Sequence, residues 1–237
     1  MKRFWDQATA QPAEGGFAIL LDGKPMRMPG GGVLCVPHAP LATAIADEWQ
    51  LAGGVKGGEM SFSDTPLTRL AGTAQHRITP DPEPTADAIA RYGETDLLCY
   101  RAEAPSDLVR RQSEAWQPWL DWAALRFDAP LRVTTGITFV RQHTDSIAAL
   151  RRTVLAMDPY VLAGLGIAVP AMGSMILGLA MTELELDAAT AHELAALDEL
   201  FTEEKWGPDD EAVTRRRNVA QDIDLAYRFI RLSRGVD

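Results

Sequence analysis

The stretch TPDPEPTADA, residues 79–88, divides the chain. It holds three prolines and little apolar content, so it reads as a linker. Before it, short apolar runs are punctuated by glycines. After it, almost every segment carries a helical period. The expected class is therefore α+β. Residues 1–80 form a small N-terminal α+β domain of short antiparallel strands plus helices, and residues 81–237 a larger, mainly α-helical domain.

Upstream of the linker, FAILLDGKPMRMP carries Asp22-Gly23 between two apolar runs, a strong hairpin signal. The expected paired strands are Phe17–Leu21 and Met26–Met28. Gly30-Gly31-Gly32 turns the chain into a third short strand, VLCVP. In HAPLATAIADEWQLAGG, Leu41, Ile45, Trp49 and Ala52 share one side of a helix that Gly53-Gly54 stops. TPLTRLAGTAQHRI predicts another helix with Pro66 in its first turn.

Downstream, Thr85 is a candidate cap for a helix ending at Gly93, and Ser106 for a long helix with an apolar stripe through Trp116, Leu120, Ala123 and Phe127. Pro118 is expected to kink that helix. LRVTTGITFV, 131–140, is β-branched enough for a strand. Further helices are expected near 144–157, 159–168, 171–182, 187–205 and 209–234. Residues 159–182 contain no charge, which raises a membrane span. Pro170 and four glycines interrupt the stretch, and acidic TELELD follows it, so two buried helices breaking around Ala168–Pro170 are expected instead.

The chain has 237 residues, 46% of them hydrophobic and 24% charged, with a net charge of −10. That balance supports a globular core. The acidic surface speaks against nucleic acid and anionic lipid, both of which select basic faces. Cys35 and Cys99 stand apart in apolar company and read as small buried hydrophobes. The four histidines show no ligand spacing, so no metal site is expected. MKRFWDQATA has no apolar signal region.

Catalytic signatures are missing. GGVKGGEMS lacks the spacing of a phosphate-binding loop, GLGIAV lacks the third glycine of a dinucleotide fold, and no GxSxG elbow occurs. Ser174, in AMGSMILG, reads as a small packing residue. The chain is thus expected not to be an enzyme. Two polar groupings stay open: Arg69 with His76, as an anion site or a plain surface helix, and Arg91, Glu94 and Asp96 in RYGETDLLCYR, as solvated turn carboxylates or an ion-pair cluster. Together they would serve a small-molecule enzyme with its site at the domain junction.

EEKWGPDDEA, 203–212, gathers five carboxylates around one Trp-Gly pair. Asp209, Asp210 and Glu211 follow Pro208 at the start of the last helix, where carboxylates meet free N–H groups and the positive end of the dipole. Glu203 and Glu204 close the preceding helix, where the dipole is unfavourable. The spacing Leu194, Leu197, Leu200/Phe201, Glu204 puts Glu204 on an apolar face, where it needs a partner. Either Arg215, Arg216 or Arg217 supplies it, or another protein does. Trp206 is an amphipathic ring suited to anchoring an interface.

The ordered stretches FAILLDGKPMRMPGGGVLCVP, LATAIADEWQ, PLTRLAGTAQHRI, RYGETDLLCYRA, the QSEAWQPWLDWAALRFDAPLRVTTGI run, GSMILGLAM and DELFTEEKWGPDDEAVTRRR resemble the assembly chaperones of F-type ATP synthase that handle the alpha subunit of the catalytic head. The resemblance covers nearly the whole chain. It implies a binding protein without cofactor or catalytic residues, which shields the beta-facing surface of the free alpha subunit until assembly. It also implies a partner-binding role for Glu204, by its position before the Trp-Gly pair, and for Trp206 and Gly207 in the same motif. Eukaryotic relatives carry a mitochondrial import sequence, and this chain begins at MKRFWDQ. A bacterial cytoplasmic member, monomeric and without membrane insertion, is therefore expected.

Overall fold

A computed structural model describes residues 1–29 and 31–236. Gly30 of the expected glycine turn lies outside the described residues. The chain divides into two compact units. The first comprises Met1–Pro82, Asp158–Gly164 and Arg228–Asp237, and the second Glu83–Met157 and Leu165–Tyr227.

The first unit is built on β2 (Gly16–Leu21). A strand not foreseen from the sequence, β1 (Ala8–Ala13), pairs with it antiparallel along its whole length. Asp22 and Gly23 both adopt positive φ, the signature of a hairpin turn that follows strand twist. They lead into β3, only Lys24–Pro25, which pairs with Leu20 and Leu21. The strand expected at Met26–Met28 is thus displaced toward the turn. β4 (Cys35–Val36) pairs with Phe17 and Ala18. A Cβ on Gly16 would sit 2.3 Å from the Val36 carbonyl oxygen, so only glycine allows this approach.

Helix α1 (Ala39–Leu51) buries Leu41, Ala42, Ile45, Ala46 and Trp49. Its C-terminal carbonyls would be orphans, but the buried Arg3 guanidinium donates to Gln50 O and Gly54 O, both at 2.7 Å, and to Trp5 O and Asp6 O. Helix α2 (Pro66–Thr73) starts on the Glu48 carboxylate, which accepts from the Leu67 and Thr68 amides. Trp5 donates to Trp49 O, and Trp49 in turn to the Thr68 hydroxyl. The Tyr160 hydroxyl donates to Cys35 O, and its ring stacks with Phe229.

The second unit contains α3 (Glu83–Ala90), β5 (Tyr100–Arg101), α4 (Ser106–Phe127), β6 (Thr134–Thr135) and α5 (Thr144–Leu155). It also holds most of α6 (Pro159–Met172), all of α7 (Met175–Thr182), α8 (Ala188–Ala195) and α9 (Leu197–Trp206), and most of α10 (Asp210–Ser233). Trp116, Leu120, Leu150, Val154, Leu165, Val169, Ile176 and Leu179 are buried in it. Of the β-branched 131–140 run, only β6 becomes a strand, parallel to β5 and separate from the first sheet.

Helix ends depart from the sequence reading in four places. Helix α3 begins at Glu83, so Thr85 lies inside it, and Ser106 follows the N-cap Pro105. Helix α4 holds Pro118 in its interior, as the sequence reading placed it, and is not one of the four. Helix α6 runs through Pro170, and the break falls at Gly173, with φ of +64°, and Ser174. The segment expected as one helix over 187–205 is broken at Ala196. Among the described residues no helix is long and apolar enough to cross a membrane.

Candidate partner-binding site

Helix α9 opens with Asp198 and Glu199 in its first turn, where its dipole favours carboxylates, but closes with Glu203 and Glu204 beside a single cation, Lys205. Gly207 ends it with φ of +89°, a conformation that costs an L side chain far more than glycine. After Pro208, the Asp209 carboxylate accepts from the Ala212 amide at 2.8 Å and caps α10. The local sequence thus dictates a sharp helix–Gly-Pro–helix corner.

Phe201 is the buried anchor of α9, 1% exposed, with the Arg111 guanidinium 5.2 Å and the Lys205 ammonium 5.4 Å from its ring centre. Glu203 turns to α10 and pairs with Arg216, whose side chain is only 11% exposed. Glu204 turns to α4 and pairs with Arg111 at 2.8 Å, its side chain 53% exposed. The partner of Glu204 is therefore Arg111, not Arg215, Arg216 or Arg217, and the carboxylate sits at the rim rather than within an apolar face. The leucines of the stripe beside it, Leu197 and Leu200, are themselves only half-buried, so the stripe borders a surface groove.

Trp206 is 75% exposed. At about 100° per residue it lies about 200° around the helix from Glu204. Two residues that read as one motif therefore point to different sides of α9, and Gly207 supplies the turn after them.

Between α4 and the α8–α9 pair runs a shallow groove of about 410 Å³. It is lined by Arg111, Glu114, Ala115, Glu193, Leu197, Leu200 and Glu204. Sequence reasoning reached only Glu204 and the two leucines. Arg111 lies 93 residues earlier and carries no local signal.

The second group of sequence candidates is not gathered into one site. Arg69 and His76 belong to the first unit, both exposed, with the His76 ring packed over Gly32. Arg91, Glu94 and Asp96 belong to the second unit, where Arg91 and Glu94 are exposed. Asp96 is fully buried, contrary to the solvated turn expected for it. It accepts from the Ser174 hydroxyl at 2.8 Å, the Ile176 amide at 3.0 Å and the Leu98 amide at 3.1 Å. It thereby tethers the start of α7 to the 97–99 turn. Burial pushes its carboxyl up to about 6, against the pull of those donors. Ser174 is the N-cap of α7 rather than mere packing. Burial also raises the Cys99 thiol to about 12, so it is a small core residue, while Cys35 is half-buried. No group of three or more histidine, cysteine or acidic side chains that could hold a metal ion occurs among the described residues.

Chaperones are the class of protein with which this fold is shared. The family model for the ATP12 chaperone protein matches residues 2–124, more than half of the chain, and the chain belongs to the ATP12 chaperone family. The crystal structure of Atp12 from Paracoccus denitrificans superposes with a TM-score of 0.91 at 41% identity, covering 98% of each chain. That of the Atu1473 protein from Agrobacterium tumefaciens gives 0.88 at 38% identity, over 98% of this chain and 85% of that one. The mitochondrial protein atp12 of Schizosaccharomyces pombe is 23% identical over 219 residues, 89% of this chain and 75% of its own length.

Proposed function

We propose that this chain is an assembly chaperone of F-type ATP synthase that holds the free alpha subunit of the catalytic head and covers the surface later offered to the beta subunit. The observation that carries the reading is the likeness to bacterial Atp12 from end to end, in both fold and sequence. The physical logic agrees with it. Half of an obligate interface is a large apolar patch, and an unpaired subunit exposes that patch to aggregation until its partner arrives. Glu204, Trp206 and Gly207 are the proposed partner-binding corner, and the chaperone acts as a cytoplasmic monomer. Arg69, His76, Arg91, Glu94 and Asp96 take no part in this reading. The high identity to a Paracoccus protein, against the lower identity to the yeast mitochondrial one, supports the bacterial setting.

The test is co-expression of this chain with the alpha subunit of the same organism's ATP synthase, and separately with the beta subunit, followed by size exclusion. A complex with alpha alone, dissolved when beta is added, is expected. Folded chaperone that elutes free of both subunits would overturn the reading.

A further inference from the structure

The groove between α4 and the α8–α9 pair has a floor and a rim of different chemistry. Ala115, Leu197 and Leu200 form the floor, each only half-buried. The rim holds three carboxylates, Glu114, Glu193 and Glu204, against one arginine, Arg111. Two of the three are already engaged: Arg111 holds Glu204, and Arg110 reaches Glu114 from outside the groove at 2.8 Å. Glu193, exposed on α8, makes no ion pair or hydrogen bond among the described residues. The groove therefore offers an apolar trough between two helices, an acidic rim and one free carboxylate.

We infer that this groove receives an amphipathic segment of the client chain, with aliphatic side chains on the Ala115–Leu197–Leu200 floor and a Lys or Arg over Glu193. The inference rests on the chaperone reading above and names the chemistry of its contact. Charge selects the occupant. An acidic rim on a chain of net charge −10 repels an acidic segment and attracts a basic one. Shape selects its form, since a trough between packed helices takes a helix that presents apolar residues three to four apart. The Arg111–Glu204 pair is part of the groove lining. A client cation can replace Arg111 on Glu204 there without leaving a carboxylate unpaired. Trp206, on the other side of α9, lies outside this contact.

The experiment measures capture of the alpha subunit by the full-length chain and three variants. Glu193→Lys reverses the free rim charge, Leu200→Arg puts a cation on the floor, and Glu185→Lys reverses an exposed charge outside the groove lining. Expected losses in affinity are about ten-fold or more for Glu193→Lys and for Leu200→Arg. The Glu193→Lys loss should shrink as salt rises, because a rim charge is screened. Glu193 is exposed, so its variant remains folded even if Leu200→Arg does not, and far-UV circular dichroism checks both. Wild type that captures alpha together with groove variants that capture it equally well would sink the groove while leaving the chaperone reading standing. Wild type that captures no alpha would sink both. A photo-crosslinker at Ala115 then identifies the occupant. A segment with basic residues flanking aliphatic ones is expected, and an acidic or glycine-rich segment would overturn the assignment.

Discussion

Replacing Asp96 by asparagine keeps the shape of a fully buried side chain and removes its charge. Two effects separate cleanly with pH. The amide oxygen can still accept from Ser174 and Leu98, but the amide nitrogen then faces the Ile176 N–H, and one backbone donor loses its partner. That costs about 1–3 kcal/mol at any pH. The second effect is linkage. Burial raises the Asp96 carboxyl from its ordinary 3.8 to about 6, so between those values the folded chain holds a proton that the unfolded chain has released. Its contribution to stability is complete below the unfolded pKa and is lost as pH rises through the folded one. At about 1.36 kcal/mol per pH unit the whole span is worth about 3 kcal/mol, of which about 2 kcal/mol falls between pH 4.5 and pH 7.5. Urea unfolding of wild type and Asp96→Asn at those two pH values gives the difference between them, in which other titrating groups cancel. Wild type should lose about 2 kcal/mol relative to the variant as pH rises. A difference constant to within about 0.5 kcal/mol would show that the three donors hold the carboxylate at its ordinary pKa, and the reasoning would fail.

Three further outcomes follow from the packing. Arg3→Lys replaces a planar fork by a point charge and strands carbonyls at the end of α1, so urea unfolding should show a loss of about 1–3 kcal/mol. Gly178→Ala puts a methyl 2.5 Å from Cγ2 of the stiff, β-branched Val169 and 3.1 Å from Leu165 Cδ2 in the second unit. Overpacking of about 1–3 kcal/mol should outweigh the helix propensity gained, leaving a lower midpoint of thermal unfolding. Glu204→Lys breaks an exposed pair worth less than about 1 kcal/mol, so thermal unfolding should barely move while capture of the alpha subunit weakens. Unfolding of that variant would make Glu204 a structural residue instead.

The hairpin at Asp22-Gly23 was legible because positive φ at two consecutive residues demands this residue pair. Strand β1 was not, because ATAQPA has almost no β-branched or alternating apolar content, and its pairing with β2 makes it a strand. Pro170 was misread as a helix break for a physical reason. A proline frees the carbonyl four residues earlier and presses its ring against that turn. Here Pro170 and Gly166 are both exposed, so the freed carbonyl lies in a solvent-facing turn rather than in the core. At Gly166 there is also no side chain to crowd the ring. What stops α6 is the positive φ of Gly173, followed by the Ser174 cap.

The candidate site shows where sequence adjacency misleads. Glu204 and Trp206 stand two residues apart, which on a strand would place them on one face and on a helix places them on nearly opposite ones. Local pattern gave the shared face of Leu197, Leu200 and Glu204 but not its depth: the two leucines are only half-buried and line a surface groove, so the carboxylate beside them is half exposed. The identity of its partner could not be read locally at all, because Arg111 comes from α4 and only tertiary packing brings the two together. The consequence is functional. If Glu204 faces the groove and Trp206 faces away, a client that touches both must wrap the Gly207 corner, whereas one that lies in the groove touches Glu204 alone. Capture measurements with Trp206→Ala and Glu193→Lys distinguish those two geometries directly, since a wrapping client loses affinity with both substitutions and a groove-bound client with only the second.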